Sequence, residues 1–447
     1  SSRYRVCWIV SGVRTRPAAL TMLSVTSVPR SCPNHCATPA VDATRPRTNH
    51  GRLNVAQKAA SAASPKTRRC PNNVKAELTN RNQPIRSHHP CMWVRAATTQ
   101  AATLCWGSGA TVTNVGRVSD PTVAVAQSGA THAVTNQSPP LPERDVYATD
   151  TALVEAVNRH GAGGHSDRLH DLGRSAGSPT WRERGTDANR DLPRLTTHDR
   201  FGHRVDEVAF HPAWHELMGY SVGWGLHADP WNSHDKGAHT ARAAGFLMWT
   251  QVEPGHLCPI SMTYASVPAL RHAGTAGAEW IPGLTARSYD FGLRPPAAKG
   301  GLIAGMAMTE KQGGSDVRTN TTVATLAADG SYRLTGHKWF CSAPMSDVFL
   351  VLGQTSAGVT CFLVPRVLPD GTRNVFRIQR LKDKLGNRSN ASSEIEFADT
   401  VAIRLGDEGR GVRTIVEMVS ATRLDCVLGA TGLMRAAVSQ ALWHVAH

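Results

Sequence analysis

The chain has 447 residues, 41% of them hydrophobic and 19% charged, with a formal net charge of +15. That length suggests about three domains, and no apolar run approaches the length that spans a bilayer. The charge is concentrated: residues 1–130 hold 17 Lys and Arg against 3 Asp and Glu, leaving 32 against 31 for the rest, so residues 131–447 are not a basic, phosphate-seeking body.

The first segment, 1–135, reads as an unassigned basic stretch of low order. Apolar residues do not recur there at helix or strand spacing over any useful length, and the first methionine is Met22. Four readings compete: a mistranslated upstream region, a disordered basic tail, a long transit peptide, and a zinc module on Cys32, His35, Cys36 and Cys70. The Cys32-Pro-Asn-His-Cys36 spacing lacks a matching second pair, which makes the zinc reading the weakest.

Residues 136–295 read as a helical domain. Asp150 is placed to cap a helix running through Leu153, Val154, Ala156 and Val157 and stopping near Gly161. A short helix is expected from Ser166 to Gly173, and another starts at His211-Pro212, with proline in its first turn. The longest helix is expected over Thr240 to Glu253, ended by Pro254-Gly255, with a further helical stretch from Cys258 to Leu270. His211 and His215 share a helix face. The third ligand and the glutamate of a zinc-protease motif are missing, so these histidines read as structural or surface residues and no metal is expected.

At residues 296–403 the period changes. Thr321–Leu326, the turn Asp329-Gly330 and Tyr332–Thr335 form a hairpin by turn chemistry. Val348–Leu352 pairs with Val359–Val364, and Val375–Ile378 and Ser393–Phe397 complete the set. Short strands at this spacing argue for a small antiparallel barrel or sandwich. Within this region the apolar run Gly301–Met308 feeds a polar loop with hydroxyls at Thr309 and Ser315 and paired glycines at Gly313 and Gly314. Glycines let main-chain N–H groups approach a ligand, and hydroxyls add adaptable donors. Such a loop suits a planar, hydrogen-bond-rich cofactor such as a flavin better than a bare phosphate, since P-loop and dinucleotide spacings are both missing. An ordinary strand-to-loop transition is the alternative reading. Cys258, Cys341, Cys361 and Cys426 sit among apolar or strand residues, as expected of reduced, buried thiols in a cytosolic protein.

Residues 404–447 open with a glycine-bearing loop, Leu405–Gly411. One helix is expected from Gly411 through Val412, Ile415, Val416 and Val419, and a second through Arg423, Val427, Ala430, Met434, Ala437 and Ala441. Two amphipathic helices without partners leave apolar faces exposed.

Met308-Thr-Glu-Lys-Gln-Gly-Gly-Ser-Asp316 resembles the first signature of the acyl-CoA dehydrogenase family. Gly336-His-Lys-Trp-Phe-Cys-Ser342 resembles its second flavin segment, with Phe340 where most members have Trp. Together with Lys384-Leu-Gly-Asn-Arg-Ser-Asn390, a loop read as mainly structural, these are most similar to the AidB-like, alkylation-response branch, from about Asn136 to His447. The resemblance implies an α+β fold: a helical domain, a small antiparallel β-barrel carrying the flavin loop, and the first helices of a C-terminal bundle. It implies FAD held by Met306, Ala307, Met308, Thr309, Gly313, Gly314, Ser315, Phe340, Cys341 and Ser342. Arg423 would reach the flavin pyrophosphate across a subunit interface, a role that suits a permanently charged, bidentate guanidinium.

The implied reaction is α,β-dehydrogenation of an acyl-CoA thioester, with hydride passing to flavin N5. Met262 and Thr263 would lie on the substrate side, in a cytoplasmic homo-oligomer that is tetrameric by family. In the AidB-like branch the glutamate base lies past His447, so a C-terminally truncated copy is expected. Some relatives carry that base where this sequence has Thr422, and Asp425 matches neither position, so no catalytic residue is named. Two alternatives stand beside this function. One is an AidB-like flavoprotein that binds DNA through a C-terminal region absent here and protects it from alkylation, with vestigial dehydrogenation. The other is an inactive fragment.

Overall fold

The computed structural model describes Thr131, residues 137–271 and residues 273–447. The readings placed on residues 1–130, the zinc module included, lie outside the described residues.

Helices come first. Asp150 caps α1 (Thr151–Arg159) by accepting from the Leu153 N–H, as its position before an apolar stripe requires. Helices α2 (Ser166–Gly177) and α3 (Pro179–Arg190) follow, and a hairpin of β1 (Arg194–His198) and β2 (Arg204–Ala209) leads to α4 (Pro212–Trp224). His211 caps α4, its ring nitrogen accepting from the Ala213 N–H, and His215 bonds the Tyr289 hydroxyl, which gives both histidines structural partners. Then come α5 (Asp229–Asn232), α6 (Ala238–Thr250), α7 (Leu257–Arg271), α8 (Thr275–Ala278) and α9 (Ile281–Leu284). Leu169, Leu172, Leu217, Met218, Met248 and Trp249 fill the core between α2, α4 and α6. The helix expected at Thr240 to Glu253 is α6; at 13 residues it is shorter than α7, at 15, and is not the longest.

The barrel is built from β3 (Ala304–Ala307), β4 (Val323–Leu326), β5 (Tyr332–Ser342), β6 (Val348–Thr355), β7 (Gly358–Pro365), β8 (Arg377–Leu381) and β9 (Ser392–Leu405). Strands β6, β7, β9, β5 and β4 form a closed ring, with β3 added beside β6 and β8 beside β9. An odd-membered ring cannot alternate direction at every step. The closing pair β4–β6 is therefore parallel, as is β3–β6, so the barrel is mixed rather than purely antiparallel. Strands β6 and β7 are buried along almost their whole length because one face fills the barrel and the other packs on α7 and the last helix.

That last element, α10 (Gly411–Ala446), is one continuous helix of 36 residues, not the two expected. Ser420-Ala-Thr422 contains no breaker, and Gly432 sits against α6, where a Cβ would meet the Leu247 carbonyl oxygen at 2.4 Å. The packing supplied by α6 and α7 offsets the propensity cost of the two internal glycines. Its other face leaves Leu424, Val427, Met434 and Leu442 exposed.

Candidate cofactor site

The two signature segments lie 28 residues apart at Glu310 and Lys338 and are stitched together. The Trp339 N–H donates to the Thr309 carbonyl at 2.7 Å, and the Lys311 N–H donates to His337 Nε2 at 3.0 Å. Beneath them Lys338 Nζ donates to Glu310 Oε1 at 2.7 Å, with both side chains fully buried. Burial opposes the Glu310 charge, but Lys338 and the N–H and hydroxyl groups of Thr321 and Thr322 outweigh it and hold the carboxyl below its ordinary range. Burial pulls Lys338 down to about 8, against the opposing pull of Glu310.

The second segment lies on strand β5, and its pairing with β9 shifts register between Lys338 and Cys341. Strict alternation would send Phe340 inward with Lys338. The bulge resets the phase, so Lys338 and Cys341 point into the barrel while Phe340 and Ser342 face out.

Phe340 and Ser342 face an open cavity of about 520 Å³. Met306, Met308 and Thr309 complete its barrel wall, and Asn387 adds to it from the loop after β8. Phe246, Thr250, Pro254, Leu257, Cys258, Ser261 and Met262 form a wall from α6 and α7, and Thr422, Asp425, Cys426, Gly429, Ala430 and Leu433 form a third from α10. Of the residues expected to hold a cofactor, Met306, Met308, Thr309, Phe340 and Ser342 come together here. Ala307 and Cys341 are buried with their side chains in the barrel core, which leaves them only main-chain atoms to offer. Gly313, Gly314 and Ser315 lie on the loop outside the cavity lining, and Arg423 is exposed on α10 beside it. Of the two substrate-side candidates, Met262 lines the cavity. Thr263 does not: its buried hydroxyl donates to the Pro259 carbonyl and accepts from the Ala304 N–H, fastening β3 to α7.

The wall of α6, α7 and α10 holds what sequence spacing could not place. Arg242 and Asp425, 183 residues apart, form a buried bidentate pair, with Nη2 to Oδ2 at 2.8 Å. Arg242 also donates to the Leu226 carbonyl and lies over the Tyr264 ring at 3.9 Å. Asp425 is the carboxylate that lines the cavity, and both its oxygens are committed to Arg242. The thiols also differ from expectation. Cys341 and Cys361 are buried and Cys258 partly so, but Cys426 is exposed because it sits on the α10 face that looks into the cavity. Among the described residues no group of three or more His, Cys, Asp or Glu is arranged to hold a metal ion. Nor is any described helix long and apolar enough to cross a membrane.

Residues 136–291 match the adaptive response protein AidB N-terminal domain, and residues 305–400 match the acyl-CoA dehydrogenase middle domain. Against AidB of Escherichia coli (strain K12) the chain is 51% identical over 316 residues, which is 70% of this chain and 58% of AidB. The chain belongs to the acyl-CoA dehydrogenase family, on its AidB-like branch. A second family relative, acyl-CoA dehydrogenase family member 11 of Caenorhabditis elegans, is 30% identical over 275 residues, 58% of this chain and 43% of that protein. The crystal structure of Caenorhabditis elegans ACDH-11 in complex with C11-CoA superposes with a TM-score of 0.62 at 27% identity, over 71% of this chain and 56% of that one. The chain thus spans between 43% and 58% of the length of these family members.

Proposed function

We propose that the chain binds FAD and serves, within a homo-oligomer, the α,β-dehydrogenation of an acyl-CoA thioester. The observation that carries this reading is the cavity, where residues of both signature segments meet a mostly apolar wall of α6, α7 and α10. The lining fits a flavin ring. Met306, Met308 and Phe340 offer apolar surface for a planar tricycle, and Thr309 and Ser342 offer hydroxyls to its polar edge. Gly314 lies so close to Thr309 that a Cβ would meet Oγ1 at 2.5 Å, so the loop keeps that hydroxyl in place only with glycine there. Gly313, at φ +143°, takes a backbone conformation that favours glycine and gives the loop its turn.

In this reading Ala307 and Cys341 contribute main-chain groups, Gly313, Gly314 and Ser315 line the outer approach, and Arg423 serves a second copy of the chain. The flavin, when bound, supplies the hydride acceptor. Met262 and the α10 residues Gly429 and Leu433 exclude water from an acyl chain beside it. No residue is assigned the α-proton, because Asp425 is held by Arg242 and Thr422 carries no carboxylate. The test is the visible spectrum of the purified chain after reconstitution with FAD, followed by addition of acyl-CoA. Bound flavin that bleaches on thioester addition supports the reading, and a chain that takes up no flavin rejects it.

The match to the adaptive response domain and the commitment of Asp425 favour a second reading, a flavin-bearing protein that binds DNA and protects it from alkylation. Flavin that ignores acyl-CoA, together with salt-sensitive retention of duplex DNA, would select it.

A further inference from the structure

Between α6 and α7 the chain turns through Glu253-Pro-Gly-His256. The Glu253 side chain is 1% exposed, and its carboxylate collects five donors. Oε1 accepts from Asn189 Nδ2 at 3.1 Å, the Gly255 N–H at 2.8 Å and Ser389 Oγ at 2.8 Å. Oε2 accepts from the His256 N–H at 2.8 Å and lies 3.0 Å from His256 Nδ1. Burial by itself would raise this carboxyl, but His256 and the other donors hold it at about 2. On its far side His256 Nε2 lies 3.0 Å from Ser221 Oγ of α4. Ser221, His256 and Glu253 thus share the connectivity of a hydrolytic triad. All three are at most 1% exposed, however, and none of them lines the cavity, so the serine has no route to a substrate.

The neighbours of this cluster are what reach the ligand space. Pro254 and Leu257 line the cavity from the α6–α7 turn, and Asn387 lines it from the loop that carries Ser389. Gly255 makes the seam between them possible: a Cβ there would meet Ser389 Oγ at 2.0 Å. We propose that Glu253 is a positioning residue that holds the 254–257 turn and the 387–390 loop in register across the seam, and so sets the shape of the cavity for its cofactor. This rests on the reading of the cavity as a flavin site. A buried carboxylate is costly unless fully compensated. Here the compensation comes from α3, the turn itself and a loop 136 residues away, which ties the two cavity walls to one anion.

The test uses the full chain with Glu253→Gln and Ser389→Ala, each kept well below its melting temperature. Two quantities are read: the FAD dissociation constant from flavin fluorescence, and the alkylation rate of Cys258 from residue-resolved mass spectrometry. Cys258 is partly exposed, lines the cavity and lies just past the turn, so its rate reports the seam without any ligand. Glu253→Gln is expected to weaken FAD about tenfold and to change the Cys258 rate by a similar factor. Ser389→Ala, which removes only the cross-loop donor, moves both in the same direction by less, and it serves alone if Glu253→Gln does not fold. Lowered melting temperatures with FAD affinity and Cys258 rate unchanged would overturn the proposal. If the unmodified chain takes up no FAD, the functional reading falls on its own, and an unchanged Cys258 rate still overturns the positioning role of Glu253.

Discussion

Two buried ion pairs, one inside the barrel beneath the signature segments and one between α6 and α10, are built on different plans. Glu310–Lys338 joins segments 28 residues apart inside the barrel, and Glu310 has further donors in Thr321, Thr322 and Gln312. Arg242–Asp425 joins helices 183 residues apart, and the Asp425 carboxylate has Arg242 as its partner. The first pair is one bond in a local network that would survive its loss in part. The second is a single clasp between α6 and α10, so all the compensation for one buried anion rests on one guanidinium.

The contrast is open to test by breaking each pair. Arg242→Met strands Asp425, and a loss of about 5 kcal/mol in unfolding free energy is expected from urea denaturation. Lys338→Met leaves Glu310 its hydroxyl and amide donors, and the expected loss is smaller, about 3 kcal/mol. Equal losses would break the comparison. Replacing both clasp members, Arg242→Met with Asp425→Leu, removes the stranded charge, and stability should return to within about 1 kcal/mol of the unmodified chain.

A third anion, Glu253, sharpens the same point through pH. Its folded value of about 2 lies below the ordinary 4.5, so its contribution is complete above the unfolded value and is lost as pH falls toward 2. Stability should drop by about 2 kcal/mol between neutral pH and pH 3 from this group, and Glu253→Gln should flatten that part of the urea midpoint–pH curve. The smallest effect is expected at the loop. Gly314→Ala would crowd Thr309 Oγ1, and it should weaken FAD about tenfold in a fluorescence titration while leaving the melting temperature unchanged.

The same division governs what the sequence made legible. Local chemistry was readable: the Asp329-Gly330 turn, the Val348–Leu352 and Val359–Val364 pairing and the Asp150 cap all depend on near neighbours. The two signature segments were legible by family resemblance, and their stitching to each other was not. The phase of Phe340 was not, because a bulge against β9 sets it and nothing in the segment's own alternation marks the shift. The parallel closure of β4 on β6 follows from counting ring members, which needs the strand order first. The unbroken α10 was misread because tertiary support from α6 and α7, not propensity, carries it past Ser420-Ala-Thr422. The α6–α10 clasp and the Glu253 seam escaped for one reason: each joins residues more than a hundred positions apart, beyond any spacing rule. Arg242 alone among apolar α6 neighbours was the available signal, since a charge on a buried stripe requires a partner.

We propose that both signature segments present one flavin site to the wall of α6, α7 and α10. Titration of the purified chain with FAD tests it most directly. Saturable, stoichiometric quenching of flavin fluorescence is predicted, weakened by Phe340→Ala and Thr309→Ala on the barrel wall and by Met262→Trp on the opposite one. No saturable binding, or binding that none of the three substitutions alters, would contradict the account.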